Sequence, residues 1–144
     1  MTKYNILEQR KEKPATYRTQ IKPEVIDGIY EQILRKMIVE KCYRDPKYTA
    51  QRLAEEIGTN PRYISAAVSL RFHTNYSMLI NDYRVRYAKL LLEDRRYKNL
   101  TIGDIAKECG FANRQSFYVA FYRSEGKTPK EYQSDALLRQ GRKR

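Results

Sequence analysis

Apolar residues recur at intervals of three and four along most of this chain, the spacing that lines one face of an α-helix. Ile26, Ile29, Ile33 and Met37 form the first such stripe, widened by Tyr30, Leu34 and Ile38. They predict a helix from Pro23 to about Arg44. The proline suits its first turn, where a missing N–H costs nothing, and Arg44–Asp45–Pro46 is the expected stop. Thr49 is placed to cap a second helix without a full capping box, with Leu53, Ala54 and Ile57 inward and Gly58 at its end. Asn60 and Pro61 open a third, lined on one side by Ile64, Ala67, Val68 and Phe72. Asn75 opens the longest, through about Asp94, expected to bury Leu79, Ile80, Tyr83, Tyr87, Leu90 and Leu91 over a length of about 30 Å.

The pattern then starts again. Thr101, with Asp104 three residues on, makes a capping box that uses Asp in place of Glu. Ile102, Ile105 and Ala106 point inward, Gly110 ends the helix and Phe111 covers the turn. Asn113 caps the next helix, with Phe117, Ala120 and Phe121 inward and Gly126 at its end. Thr128 and Pro129 open a short last helix containing Tyr132, with fraying expected after Leu138. Ala54 and Gly58 match Ala106 and Gly110 at an offset of 52 residues, while His73 and Tyr76 match Gly126 and Pro129 at 53. One extra residue between Gly110 and Phe117 accounts for the difference. Repetition of a complete pattern is more specific than either copy alone. The expected fold is all-α, with about seven helices: two helix-turn-helix modules, homeodomain-like three-helical units, joined by a long connecting helix. Residues 1–22, polar and broken by Pro14, read as a linker. Residues 23–94 read as the first module with the connecting helix, 95–138 as the second module, and 139–144 as a basic tail.

Composition narrows the partner. The 144 residues are 41% hydrophobic and carry few Gly or Pro, a folded helical profile rather than a disordered one. Lys and Arg number 29 against 17 Asp and Glu, a formal net charge of +12, which favours nucleic acid or an acidic membrane surface. Residues 96–144 hold 11 basic against 5 acidic side chains, and 45–95 hold 8 against 6. The last stretch, with Arg142–Lys143–Arg144, is therefore the better placed for phosphate contact. No run of eighteen apolar residues and no signal-peptide pattern occurs, so no membrane contact is expected of this segment. Cys42, Cys109 and His73 are too few for a zinc site; no metal and no cofactor is expected. The two thiols read as small buried hydrophobes suited to a reducing cytoplasm. No convergent nucleophile or base accompanies Asp104 and Glu108, so no enzymatic activity is expected.

Each copy leaves one face of its second helix uncovered. In the first copy that face carries Asn60, Arg62, Tyr63 and Ser65, with Ala66 adding apolar surface; in the second it carries Asn113, Arg114, Gln115, Ser116 and Tyr118. A DNA major groove admits one helix. Arg pairs there with guanine, and Asn or Gln with adenine, each worth roughly 1–3 kcal/mol of discrimination. These residues are the candidate base readers, although Tyr63 and Tyr118 equally suit core edges. Thr49 and Thr101, at helix N-termini with unpaired N–H groups, are candidate phosphate contacts together with Arg71, Arg123 and Lys127. A rigid connecting helix would hold the two reading helices about 34 Å apart, one turn of duplex.

The stretches LAEEIGTNPRYIS (53–65), INDYRVRYAKLLL (80–92), LTIGDIAKECGFANRQSFYVAF (100–121) and GKTPKEY (126–132) resemble the DNA-binding domain of the AraC/XylS family of transcription regulators. The resemblance covers roughly Tyr48 to Tyr132. The form YRVRYAKLLL is similar to Bacteroidetes-type members, in which this domain often ends a membrane-bound or two-component sensor chain. The resemblance implies seven helices with the third and sixth in the major groove, and a sensor or dimerisation domain outside this chain. RNA polymerase is a further expected partner. Arg84 and Ala88 fall on the family's Arg and Ala of the connecting helix. Three positions depart from it. His73 replaces the usual Gly, which implies a left-handed or altered turn. Val119 stands where an Arg often contacts phosphate, which implies either a weaker contact there or one supplied by Arg123. Val68 replaces the common Phe, a smaller core plug.

Double-stranded DNA is thus the expected partner, and sequence-specific binding in transcription regulation the expected function. A helical protein–protein interaction module, its charge serving only solubility, remains the alternative, and strong salt dependence of duplex binding separates the two. RNA is disfavoured because the deep, narrow A-form major groove admits helices poorly.

Overall fold

The computed structural model describes residues 21–142, and every regular element among them is helical. The helices are α1 (Pro23–Leu34), α2 (Ala50–Ile57), α3 (Pro61–Ala67), α4 (Tyr76–Glu93), α5 (Ile102–Cys109), α6 (Arg114–Glu125) and α7 (Pro129–Arg142). Seven helices in an all-α domain agree with the sequence. Residues 1–20, most of the expected linker, and Lys143 and Arg144 of the expected tail lie outside the described residues.

Local capping explains where these helices begin and end. The Asn60, Asn75 and Asn113 side chains accept hydrogen bonds from the backbone N–H groups of Tyr63, Met78 and Ser116 at 3.0, 2.9 and 2.8 Å. Thr49 accepts from Arg52 N–H at 3.1 Å. Thr101 and Asp104 form the full reciprocal box. Thr128 and Glu131 form a second one that the sequence reading had not identified, at 3.1 and 3.0 Å. Each such cap is worth about 1 kcal/mol. At the other ends the repeat holds in backbone angles: His73 takes φ +58° where Gly126 takes +74°. The left-handed turn expected at His73 is present.

Two clusters of buried side chains form the core. The first joins α1, α2, α3 and Leu79, Ile80 and Tyr83 of α4. The second joins Val85, Ala88, Leu91 and Leu92 of α4 with α5, Phe111 and α6. α4 feeds both, and it packs against α5, α6 and α7.

α1 does not run to Arg44. It loosens into a π-helical turn at Arg35–Val39, where the Glu40 N–H reaches back five residues to the Arg35 carbonyl, and breaks at Lys41, φ +53°. The wider turn rotates the apolar stripe, so Ile38 is 56% exposed. Leu90 is 64% exposed and Val85 and Ala88 are buried in its stead, because α5, α6 and α7 cover the other sides of α4. Ala66, expected on an outer face, is 2% exposed because α1 lies against α3. Ile21, expected in the linker, is buried in the first cluster. α7 does not fray after Leu138; Gln140 donates to the Glu93 carbonyl at 2.6 Å, and Arg95 to the Leu137 carbonyl at 3.2 Å. Cys109 is buried as expected, but Cys42 only partly.

The two clusters also meet away from α4. A 3₁₀ turn, Cys42–Arg44, carries Tyr43 of the first cluster, stacked on Tyr83 at 5.9 Å. Buried Arg84 donates to the Tyr43 carbonyl at 2.7 Å and to the Asp45 carbonyl at 3.0 Å, its guanidinium 5.8 Å from the Phe111 ring centre. Burial pulls the Arg84 pKa below its ordinary value, and the two carbonyls offset the desolvation behind that shift. Arg44 donates to the Glu108 carbonyl at 3.0 Å and pairs with its carboxylate at 2.7 Å. Gly110, φ +101°, touches this turn so closely that a Cβ there would lie 2.1 Å from the Tyr43 oxygen.

Candidate nucleic-acid interface

α3 and α6 each present one polar face. On α3, Arg62 and Ser65 are exposed, and Tyr63 is half-buried against the first cluster. On α6, Arg114, Gln115 and Ser116 are exposed, and Tyr118 is half-buried against the second. Tyr118 is held edge-on by Phe117 at 6.3 Å, and the Arg114 guanidinium lies 5.7 Å from the Tyr118 ring centre. A core aromatic thus supports a surface aromatic, which in turn steadies the arginine. The half-buried tyrosines therefore cover core edges and still reach the surface.

Asn60 and Asn113 are exposed, yet each commits its side-chain carbonyl oxygen to the backbone as an N-cap. Paired recognition of adenine needs that oxygen as well as the amide N–H, and capping takes one of the oxygen's two lone pairs and turns it toward the helix backbone.

The structure brings Asn113, Gln115, Ser116, Val119 and Arg123 around one shallow cavity, joined by Asn81 of α4. The sequence reading had not singled out Asn81. Its amide oxygen accepts from Arg84 at 3.3 Å, and Ser77 lies one turn before it on the rim of an adjoining hollow. Ser77 and Asn81, four apart and so on one face of α4, were the available signal.

The phosphate candidates divide. Arg123 is exposed on α6 and lines that cavity. Arg71 already pairs with Asp27 of α1 at 2.8 Å, and Lys127 with Asp135 at 2.7 Å. Thr49 begins a helix with no acid in its first turn, whereas Thr101 begins one beside the Asp104 carboxylate. A cavity of about 970 Å³ lies elsewhere, lined by Tyr87, Leu91, Tyr97 and Leu100 among others, and shares none of the candidate readers.

Two capped helix pairs, each turning through a left-handed glycine into an Asn-capped helix, define the molecule's pattern. The Helix-turn-helix domain family model matches residues 53–135, from within α2 of the first pair through the whole of the second. The chain belongs to this helix-turn-helix family. An HTH-type transcriptional regulator of Staphylococcus aureus (strain MSSA476) is 31% identical over 83 residues, 58% of this chain and 11% of that protein. The HTH-type transcriptional activator RhaR of Escherichia coli O1:K1 / APEC is 39% identical over 66 residues, 43% of this chain and 22% of that protein. This helix-turn-helix chain therefore spans less than a quarter of the length of these two relatives. Among solved structures, the C-terminal domain of the two-component response regulator yesN from Fusobacterium nucleatum superposes with a TM-score of 0.62 at 27% identity, covering 72% of this chain and 97% of that one. Among the described residues no helix is long and apolar enough to cross a membrane, and no cluster of three His, Cys, Asp or Glu side chains could hold a metal ion.

Proposed function

We propose that this chain is the sequence-specific, double-stranded DNA-binding part of a transcription regulator of the AraC/XylS type. In this reading it is built as two helix-turn-helix modules joined by α4, with α3 and α6 in successive major-groove segments about 34 Å apart. The observation that carries it is the repeated pair, α2–α3 and α5–α6. Both pairs turn through a left-handed glycine, restart on an Asn cap, and leave Arg, Ser and Tyr on the second helix's open face. Arg62, Ser65, Arg114, Gln115 and Ser116 then read base edges, with Tyr63 and Tyr118 packing beside them; Asn60 and Asn113, held by their caps, lend chiefly an amide donor.

Arg123 and Thr49 are the foremost phosphate contacts. At Thr101 the Asp104 carboxylate opposes a phosphate, and Arg71 and Lys127 must exchange a carboxylate for one. The chain works in the cytoplasm, joined to a sensor or dimerisation domain as in Bacteroidetes-type regulators, with RNA polymerase as a further contact. The short share of each relative that it spans supports a larger whole, and exposed Ile38, Val39 and Leu90 supply apolar surface for a neighbouring domain.

Fluorescence anisotropy with labelled duplexes at several salt concentrations tests this. Affinity is expected to fall by a slope of about 0.9 in log–log terms for each phosphate neutralised, and selection from a random duplex library is expected to enrich a defined sequence. Salt-insensitive or absent duplex binding, beside a tight protein complex, would favour the interaction-module reading.

A further inference from the structure

Two helical groups joined by one helix are free to bend and swivel about it, and α4 alone is only 18 residues long. This molecule has a second tie, set off the α4 axis. The Cys42–Arg44 turn is anchored in the first cluster by Tyr43 on Tyr83. From it Arg44 crosses to the C-terminal end of α5, bonding both the carbonyl and the carboxylate of Glu108, with its guanidinium 5.1 Å from the Tyr87 ring centre. A bond to a helix's last carbonyls fixes that helix end as a whole, and two simultaneous bonds fix direction as well as distance. Next to it the missing Cβ of Gly110 lets the two backbones touch.

We propose that the Arg44–Glu108 tie sets the separation and rotation of α3 relative to α6, and hence the spacing between the two DNA segments the chain reads. Arg44 and Glu108 are then specificity-determining positioning residues that need touch no base. The inference rests on the DNA-binding reading above. Its physical leverage lies in the duplex: one inserted base pair moves the second segment by about 3.4 Å and turns it by about 35°. A tied pair of reading helices cannot follow that displacement, whereas an untied pair can.

The test is selection of the full 144-residue chain on a random duplex library, followed by titration of the selected duplex with and without one base pair inserted between its two segments. The original chain is expected to lose at least about tenfold in affinity on insertion. Arg44→Ala is expected to lose less than about threefold, with a spread of spacings in its selected pool. Glu108→Ala, which leaves the carbonyl bond in place, is expected to fall between. Arg44→Ala removes a positive charge and Glu108→Ala a negative one. Purely electrostatic effects would therefore shift overall affinity in opposite directions and leave the spacing ratio alone, whereas the tie predicts that both variants lower the ratio. Thermal unfolding of each variant checks that the fold persists; if Arg44→Ala fails to fold, Glu108→Ala decides. A ratio unchanged in the folded variants, or an original chain indifferent to the insertion, overturns the proposal. No enrichment of any duplex overturns the DNA-binding reading itself, and this inference with it.

Discussion

Gly110 and Tyr43, 67 positions apart in sequence, touch backbone to backbone: a Cβ on the glycine would stand 2.1 Å from the tyrosine's carbonyl oxygen. The same oxygen accepts from Arg84 at 2.7 Å, so it cannot withdraw without breaking a buried bond. Gly58, the repeat counterpart, also has a left-handed φ of +79° but has nothing within 4 Å of its missing Cβ.

That contrast separates two glycines the sequence makes look alike. Gly58→Ala is expected to cost about 1–2 kcal/mol, the strain of a left-handed alanine. Gly110→Ala adds overpacking against backbone and is expected to cost about 3 kcal/mol or more. Urea unfolding of both variants measures the difference. Equal losses would mean that the Cys42–Arg44 turn yields easily and does not pin the two clusters.

Asn113 offers a test of capping against reading. Its oxygen accepts from the Ser116 N–H at 2.8 Å. Asn113→Ala is expected to lower stability by about 1 kcal/mol, while Asn113→Ser, itself a good cap, changes it by a few tenths. Base preference is expected to survive in the serine variant. Loss of one preferred base there, with stability intact, would return Asn113 to the readers.

The caps were legible in the sequence because capping is local: Thr, Asn or Gly at the right step of a three-to-four period states its own function. So was the offset of the repeat, which even placed His73 in the left-handed position of Gly126. What the pattern could not supply was which helix packs on which. Leu90 has the periodicity of a core residue and Ala66 that of a surface one, and neighbouring helices reverse both assignments. Ile38 lies within the π-helical turn Arg35–Val39, which a regular 3.6-residue period does not anticipate. The Arg44–Glu108 tie and the approach of Asn81 to Ser116 join positions distant in sequence, to which periodicity is blind. The outward faces of α3 and α6 were legible as residue types, but the commitment of both cap asparagines emerged only from geometry.

Burial in the second cluster pushes the Cys109 thiol up to about 12. An unfolded thiol titrates near about 8.5, so between those values the folded chain keeps a proton that the unfolded chain releases. This contribution is fully present below the lower value and is lost as pH rises toward the upper one. Raising the pH from 8 to 10 is expected to cost about 1–2 kcal/mol through this thiol. Urea unfolding at the two pH values reads it, and Cys109→Ala should flatten the slope between them. An unchanged slope would assign the alkaline loss to other groups, such as Tyr76, whose pKa burial also raises.

Arg114 and Arg123 sit on one helix but in different settings, and their alanine variants should fail differently. Arg114 begins α6, with its guanidinium steadied over Tyr118 and its stem 3.9 Å from the missing Cβ of Gly103. That placement suits a side chain aimed at one base edge. Arg114→Ala is expected to cost about 1–3 kcal/mol on the preferred duplex and almost nothing on a duplex altered at the base it reads. Arg123, about two and a half turns along, lines the cavity with Gln115, Ser116 and Asn81. A phosphate contact there carries no sequence information, so Arg123→Ala should weaken all duplexes alike and reduce the salt slope by about 1. Titrating both variants against the selected duplex and its single-base changes, at two salt concentrations, decides the matter. Uniform loss for Arg114→Ala would demote it to a phosphate contact, and a base-dependent loss for Arg123→Ala would bring the reading surface further along α6 toward its C-terminal end.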